Sequence, residues 1–205
     1  PERVRHALTF GGTTDPGGRM QTAYELHRMN IERWLGLPAD VRLLMAASLF
    51  LGWDYTTSRP SVPFLPHAEY PRSVVNPAAR ATNCSTFTAA VVMATYPTAA
   101  WTDRSYAQLQ VFAGMRLDSP VLAVVEAGVG NAVDSLQPGR WHLVQGWRKL
   151  SPPRGHAVLV QRGQDDALDI LHASSRLGAV IIEPDTVSGL ERRFPAGYCA
   201  ACLGV

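Results

Sequence analysis

The chain has 205 residues, 46% hydrophobic and 18% charged, with a formal net charge of +2. That balance builds a core and excludes wholesale disorder; the scattered arginines, with Lys149 the sole lysine, exclude a phosphate-tracking surface and hence a nucleic-acid partner. No apolar run approaches the roughly 20 residues that span a bilayer, and the length suits one domain with embellishments better than two.

Near the start, Gly11-Gly12-Thr13-Thr14-Asp15-Pro16-Gly17-Gly18 is a turn-rich, linker-like stretch. It lacks the Gly-Lys-Ser/Thr ending of a phosphate loop. Apolar residues at Met20, Tyr24, Ile31, Trp34 and Leu35 predict an amphipathic helix from Arg19 to Leu35, ended by Gly36. A second helix is expected from about Ala39 to Leu51, stopping at Gly52, and the two form a cap over the core. Pro60, Pro63, Pro66, Pro71 and Pro77 then dictate an ordered loop without regular structure, a candidate wall or lid for a groove.

That loop leads into Asn83-Cys84-Ser85-Thr86-Phe87, where Asn83 is a good N-cap and Phe87, Ala90, Val91 and Ala94 repeat at helical spacing. Cys84 therefore sits in a helix's first turn, where free backbone N–H groups and the positive dipole end favour the nucleophilic thiolate. Helices are expected next over residues 105 to 115 and, with Ser119 as cap and Pro120 in the first turn, through Ala127. After the turn Leu136-Gln137-Pro138-Gly139 the pattern changes to strands: Trp141 to Trp147, His156 to Gln161, Leu168 to His172, Ala179 to Ile182 and Tyr198 to Leu203. Helices first and an antiparallel sheet second make an α+β fold.

A cysteine on an apolar helix is by default a small buried hydrophobe. The order of signals points further, because a strand opening on His156 and a hairpin return carrying His172 would bring two imidazoles together for a helix-start Cys84. Asp169, Ser174 or Asp54 could replace His172 as the group that orients His156. Three cysteines are too few for a disulfide framework. Cys199 and Cys202 could pair or form half a metal site, but without a second pair or a nearby histidine they read as ordinary buried thiols.

Taken together these segments resemble the NlpC/P-sixty family of papain-like cysteine peptidases, which hydrolyse peptide bonds in bacterial cell walls. Asn83-Cys84-Ser85-Thr86-Phe87 is similar to the family's Asp-Cys-Ser-Gly-Phe, and Leu136-Gln137-Pro138-Gly139 to its Leu-Gln-Pro-Gly. Gly155-His156-Ala157-Val158-Leu159-Val160 resembles its His-Val-Gly-Ile-Tyr strand, Ile170-Leu171-His172-Ala173-Ser174 its Ile-His-Ala-Ser strand, and Leu51-Gly52-Trp53-Asp54-Tyr55 its Leu-Gly-x-x-Tyr segment. The chain departs from the family at Asn83, Thr86 and Arg140, and in the long interval between Tyr55 and Cys84.

The resemblance implies an NlpC-type fold in which N-terminal helices, the nucleophile helix among them, pack on a C-terminal antiparallel sheet. Residues 1–38 would be an N-terminal extension and helix, and residues 39–205 the hydrolase domain. It implies Cys84 as nucleophile, His156 as general base and later acid, His172 as its orienting group, and the Cys84 backbone N–H with Tyr55 as oxyanion donors. The expected partner is a peptide or amide substrate, a cell-wall peptide first, with no metal and no organic cofactor. A wall hydrolase would be secreted or held in the cell envelope, although no export signal is visible after Pro1. The alternatives are the same thiol chemistry in an amidase, deamidase or acyltransferase on another substrate, and a non-catalytic binding module.

Overall fold

A run of twelve residues without a charged side chain, Cys84–Thr95, forms the helix on which the fold is built. Every residue from Thr86 to Thr95 is buried, so this helix is covered all round rather than along one stripe. The computed structural model describes residues 31–58, 60–62, 80–97, 122–125, 136–150 and 153–203. Before the central helix come α1 (Ile31–Leu35) and α2 (Ala39–Ser48). The central helix is α3, and α4 (Val187–Arg193) comes late in the chain. The strands are β1 (Asp54–Tyr55), β2 (Ala81–Thr82), β3 (Leu122–Val125), β4 (Trp141–Leu150), β5 (Pro153–Arg162), β6 (Ala167–Ser174), β7 (Ala179–Thr186) and β8 (Tyr198–Leu203).

The strands join in one eight-stranded sheet of order β2-β1-β7-β6-β5-β4-β8-β3. Every neighbouring pair is antiparallel except β1 and β2, which run parallel. Both faces are covered. On one, Leu143, Leu159, Leu171, Ala173 and Val180 meet α2 and α3. On the other, Val144, Val158, Val160, Leu168 and Ile170 meet Val187, Leu190 and Phe194 of α4 and the residues after it. Phe50, following α2, stands edge-on to Phe87 of α3 at 5.2 Å. The C-terminal end of α3 is tied to the N-terminal helices by two side chains: Trp34 Nε1 donates to the Ala94 carbonyl at 2.9 Å, and Arg42 Nε to the Thr95 carbonyl at 2.8 Å. Burying Trp34 in this way joins α1 to the body of the fold.

The α+β class agrees with expectation, and four elements differ. Leu122–Val125 is a strand rather than a helix, pairing from Leu122↔Leu203 to Val125↔Ala200. A short apolar run fits either element by periodicity, and the open edge of β8 decides it by offering backbone partners. The β4–β5 hairpin extends past Trp147 to Leu150↔Pro153, with a bulge between Trp147 and Lys149, so β5 begins at Pro153 and His156 lies inside it. Proline is tolerated as a first strand residue. β7 continues through Pro184 to Thr186, four residues beyond Ile182. Finally, α4 follows at once, capped by Thr186 Oγ1, which accepts from the Gly189 N–H at 3.0 Å. Of the helix expected from Arg19 to Leu35, Ile31–Leu35 is described and helical and the remainder lies outside the described residues, as do the helix expected over 105–115 and most of the proline-rich loop.

One glycine is dictated by packing. Gly146, in β4, faces Phe194, and a Cβ at that position would fall inside the aromatic ring. Gly146→Ala should therefore lower stability by about 1–3 kcal/mol, the cost of overpacking a core. Denaturant unfolding measures this, and an unchanged midpoint would contradict the packing.

Candidate active site

Asn83 caps α3 as its type predicts: Oδ1 accepts from the Thr86 N–H at 2.8 Å. Cys84 is thus the first helical residue and is half-buried, with Ser85 Oγ 3.9 Å from its sulfur. Tyr55 belongs to β1, in register with Thr82 just upstream of Cys84. Burial, and then the negative charge that Cys84 carries as a thiolate, raise the pKa of the Tyr55 hydroxyl, so it keeps its proton at neutral pH.

The two histidines meet. His156 Nε2 lies 2.7 Å from His172 Nδ1, with the rings edge-on. The chain of contacts continues beyond the two imidazoles. His172 Nε2 is 3.1 Å from Glu183 Oε1, and Glu183 Oε1 is 2.7 Å from Arg193 Nη2, which also bonds Asp185 Oδ2 at 2.9 Å. His172 holds the position beside His156 for which Asp169, Ser174 and Asp54 were alternatives, and Glu183 stands behind His172. Asp169 is an odd-numbered residue of β6 and faces away from His172; Ser174 Oγ is engaged by the Leu177 N–H at 3.2 Å; Asp54 is exposed in β1. The signal for Glu183 was its parity: in Ile181-Ile182-Glu183-Pro184-Asp185, residues 181, 183 and 185 share the face of His172, because Ile181 pairs with His172.

Burial, joined by the fields of His172, Arg148 and Arg193, pushes the His156 pKa down to about 3. His172 is lowered too, since its burial outweighs the attraction of Glu183. For Glu183, burial would raise the carboxyl; the bonds and charges of Arg193 and His172 overcome it and hold the pKa below the usual value. At neutral pH the dyad is therefore uncharged and its carboxylate ionised. A base as weak as His156 accepts a proton only when negative charge forms beside it.

Alternation along β5 fixes where this chain of groups lies. Leu159 is in the core under α3, while Val158 and Val160 are in the core with α4. His156 shares the second face, opposite Gly146 and its neighbour Phe194. Cys84 begins the helix that covers the first face, and no hydrogen bond joins its sulfur to His156. The expected approach of His172 to His156 is present, then, but Cys84 stands outside their hydrogen-bonded chain, because burial of both sheet faces sends neighbouring residues of β5 to opposite sides.

Two features bring the sulfur and the dyad to the same end of the sheet. The β5–β6 register runs from Arg162↔Leu168 only as far as Leu159↔Leu171, so beside His156 and His172 the strands are linked by imidazoles rather than by a backbone ladder. At that end β7 starts, paired with β6 through Ala179↔Ser174 and with β1 through Ala179↔Asp54, and β1 carries β2, which runs straight into Cys84. His156 Nδ1 makes no hydrogen bond among the described residues and is not sealed from solvent.

Cys199 and Cys202 are free thiols. Cys199 packs against the α3-side core and Cys202 lies opposite His142 on the other face, so three-residue spacing on a strand separates them and excludes a disulfide. Among the described residues no group of three or more His, Cys, Asp or Glu side chains is arranged to hold a metal ion. Among the same residues no helix is long and apolar enough to cross a membrane.

No protein-family model, curated protein or solved structure matches this chain.

Proposed function

We propose that the chain is a cysteine hydrolase of papain-like type that cleaves an amide bond through a thioester, with a bacterial cell-wall peptide as substrate. The observation that carries this reading is the open Nδ1 of His156, at the head of a chain of hydrogen bonds and at the end of the sheet where the capped helix of Cys84 begins. The Cys84 sulfur attacks the carbonyl carbon. The Cys84 backbone N–H and the Tyr55 hydroxyl donate to the oxygen that gains charge. As the sulfur attacks, His156 Nδ1 takes the thiol proton and passes it to the leaving amine; it then takes a proton from the attacking water and returns it to the departing sulfur, completing acylation and deacylation. The scheme requires the sulfur and the imidazole, which stand on opposite faces of the sheet, to meet at the end where the β5–β6 ladder has stopped.

Digestion of purified cell-wall peptides, read by mass spectrometry, tests the reaction and its bond. Cleavage at a defined amide supports the proposal, whereas turnover confined to small amides or transfer to an added amine would redirect it to an amidase or acyltransferase. A second reading, a binding module without catalysis, is favoured by the missing hydrogen bond between Cys84 and His156. Alkylation mapped to Cys84 by peptide mass separates the two. In a hydrolase, His156→Ala slows Cys84 alkylation about tenfold or more, because the imidazole no longer assists the thiol. Equal rates would leave the binding reading.

A further inference from the structure

We infer that Glu183 is a positioning residue that dictates, through His172, which nitrogen of His156 is left bare. This rests on the reading of His156 as a base and adds to it a group from outside the Cys-His-His set. A neutral imidazole carries a single N–H, and an ionised carboxylate can only accept. His172 is 2% exposed, so water does not rearrange its bonds. Its Nε2 faces Glu183 Oε1 at 3.1 Å and must donate. Its Nδ1 is then a bare acceptor, and His156 Nε2, 2.7 Å away, must donate to it. That leaves the His156 proton on Nε2 and a lone pair on Nδ1, the atom free to receive a proton from a thiol. The opposite arrangement would set the bare Nε2 of His172 against a carboxylate, lone pair against lone pair.

The carboxylate is itself held in place. Arg193 bonds Glu183 Oε1 at 2.7 Å and Asp185 Oδ2 at 2.9 Å. Asp185 Oδ1 accepts from the Thr186 N–H at 2.8 Å. The Asp185 carboxylate also occupies the space where a Cβ of Gly189 would stand, so the first turn of α4 is shaped around it. Arg148 from β4, Arg176 from the turn after β6 and Arg193 from α4 are the cations that act on the dyad, and Glu183 is the anion that acts on it. When His156 takes a proton, Glu183 faces the resulting positive charge through one intervening ring.

Imidazole nitrogen shifts in ¹⁵N-labelled protein at pH 7.5 report the tautomers directly, without catalysis. Both histidines of the native chain are expected as Nε2–H tautomers. Glu183→Gln keeps an accepting oxygen and should preserve that pattern; Glu183→Leu removes it and should populate the Nδ1–H form of His156. A native His156 protonated on Nδ1, or tautomers unmoved by Glu183→Leu in a folded chain, would overturn the assignment. In the cell-wall digest Glu183→Leu should lower kcat about 10²-fold with little change in KM, and Glu183→Gln should restore part of it. A KM effect alone would mean that Glu183 only fastens α4 to the sheet. If the native chain hydrolyses nothing, the hydrolase reading fails while the nitrogen shifts still decide the tautomers.

Discussion

Replacing Cys84 with alanine is expected to end the release of peptide fragments, with a loss on the order of 10⁴-fold or more, the scale seen when a covalent nucleophile is removed. The fold should survive. The helix cap is the Asn83 side chain, the Cys84 carbonyl accepts from Thr88 Oγ1 at 2.9 Å, and the alanine would give up only the 3.9 Å contact of the sulfur with Ser85 Oγ. Its half-buried sulfur fills no deep cavity, so unfolding should shift by about 1 kcal/mol or less. His156→Ala should cost activity on a similar scale. Full activity in a folded Cys84→Ala protein would end the thioester scheme, whatever the histidines do.

The second large effect is on stability as the pH falls. His156 is neutral in the fold, with a pKa of about 3, against about 6.5 for the unfolded side chain. Above that unfolded value both states are neutral and the full stability is present. As pH drops from 6.5 towards 3, the unfolded chain takes up protons that the folded chain refuses, and stability is lost. His172 and His142, both lowered by burial, act in the same direction. Glu183 does so too at lower pH, since its carboxyl is held below its ordinary value and protonates in the unfolded chain first. The ceiling from His156 alone is roughly 5 kcal/mol, reached only at or below pH 3. Denaturant titrations at pH 7.5, 5.5 and 4 should therefore give steadily falling midpoints, and His156→Gln should flatten the trend. A native protein equally stable at pH 4 and pH 7.5 would contradict the burial of the dyad.

Much of this was legible in the residues because the signals were local. Asn83 before Phe87, Ala90 and Val91 announces a capped helix, and the polar turn Gly163-Gln164-Asp165-Asp166 between two β-branched runs announces the hairpin that unites His156 with His172. Other features depend on what lies across the sheet. β5 reads Ala157-Val158-Leu159-Val160, apolar at every position because both faces are covered, and such a run carries no alternation from which the side of His156 could be read. Leu122–Val125 is a strand because of the free edge of β8, a partner some eighty residues away. Glu183 escaped because Pro184 suggested that the strand had ended, and the seven-residue α4 that supplies Arg193 is too short for periodicity to show.

The two rims of the sheet are short among the described residues, Ala81–Thr82 at one margin and Leu122–Val125 at the other. A foreign segment adding to either described piece would gain few main-chain bonds, so these pieces offer a poor template for self-propagation.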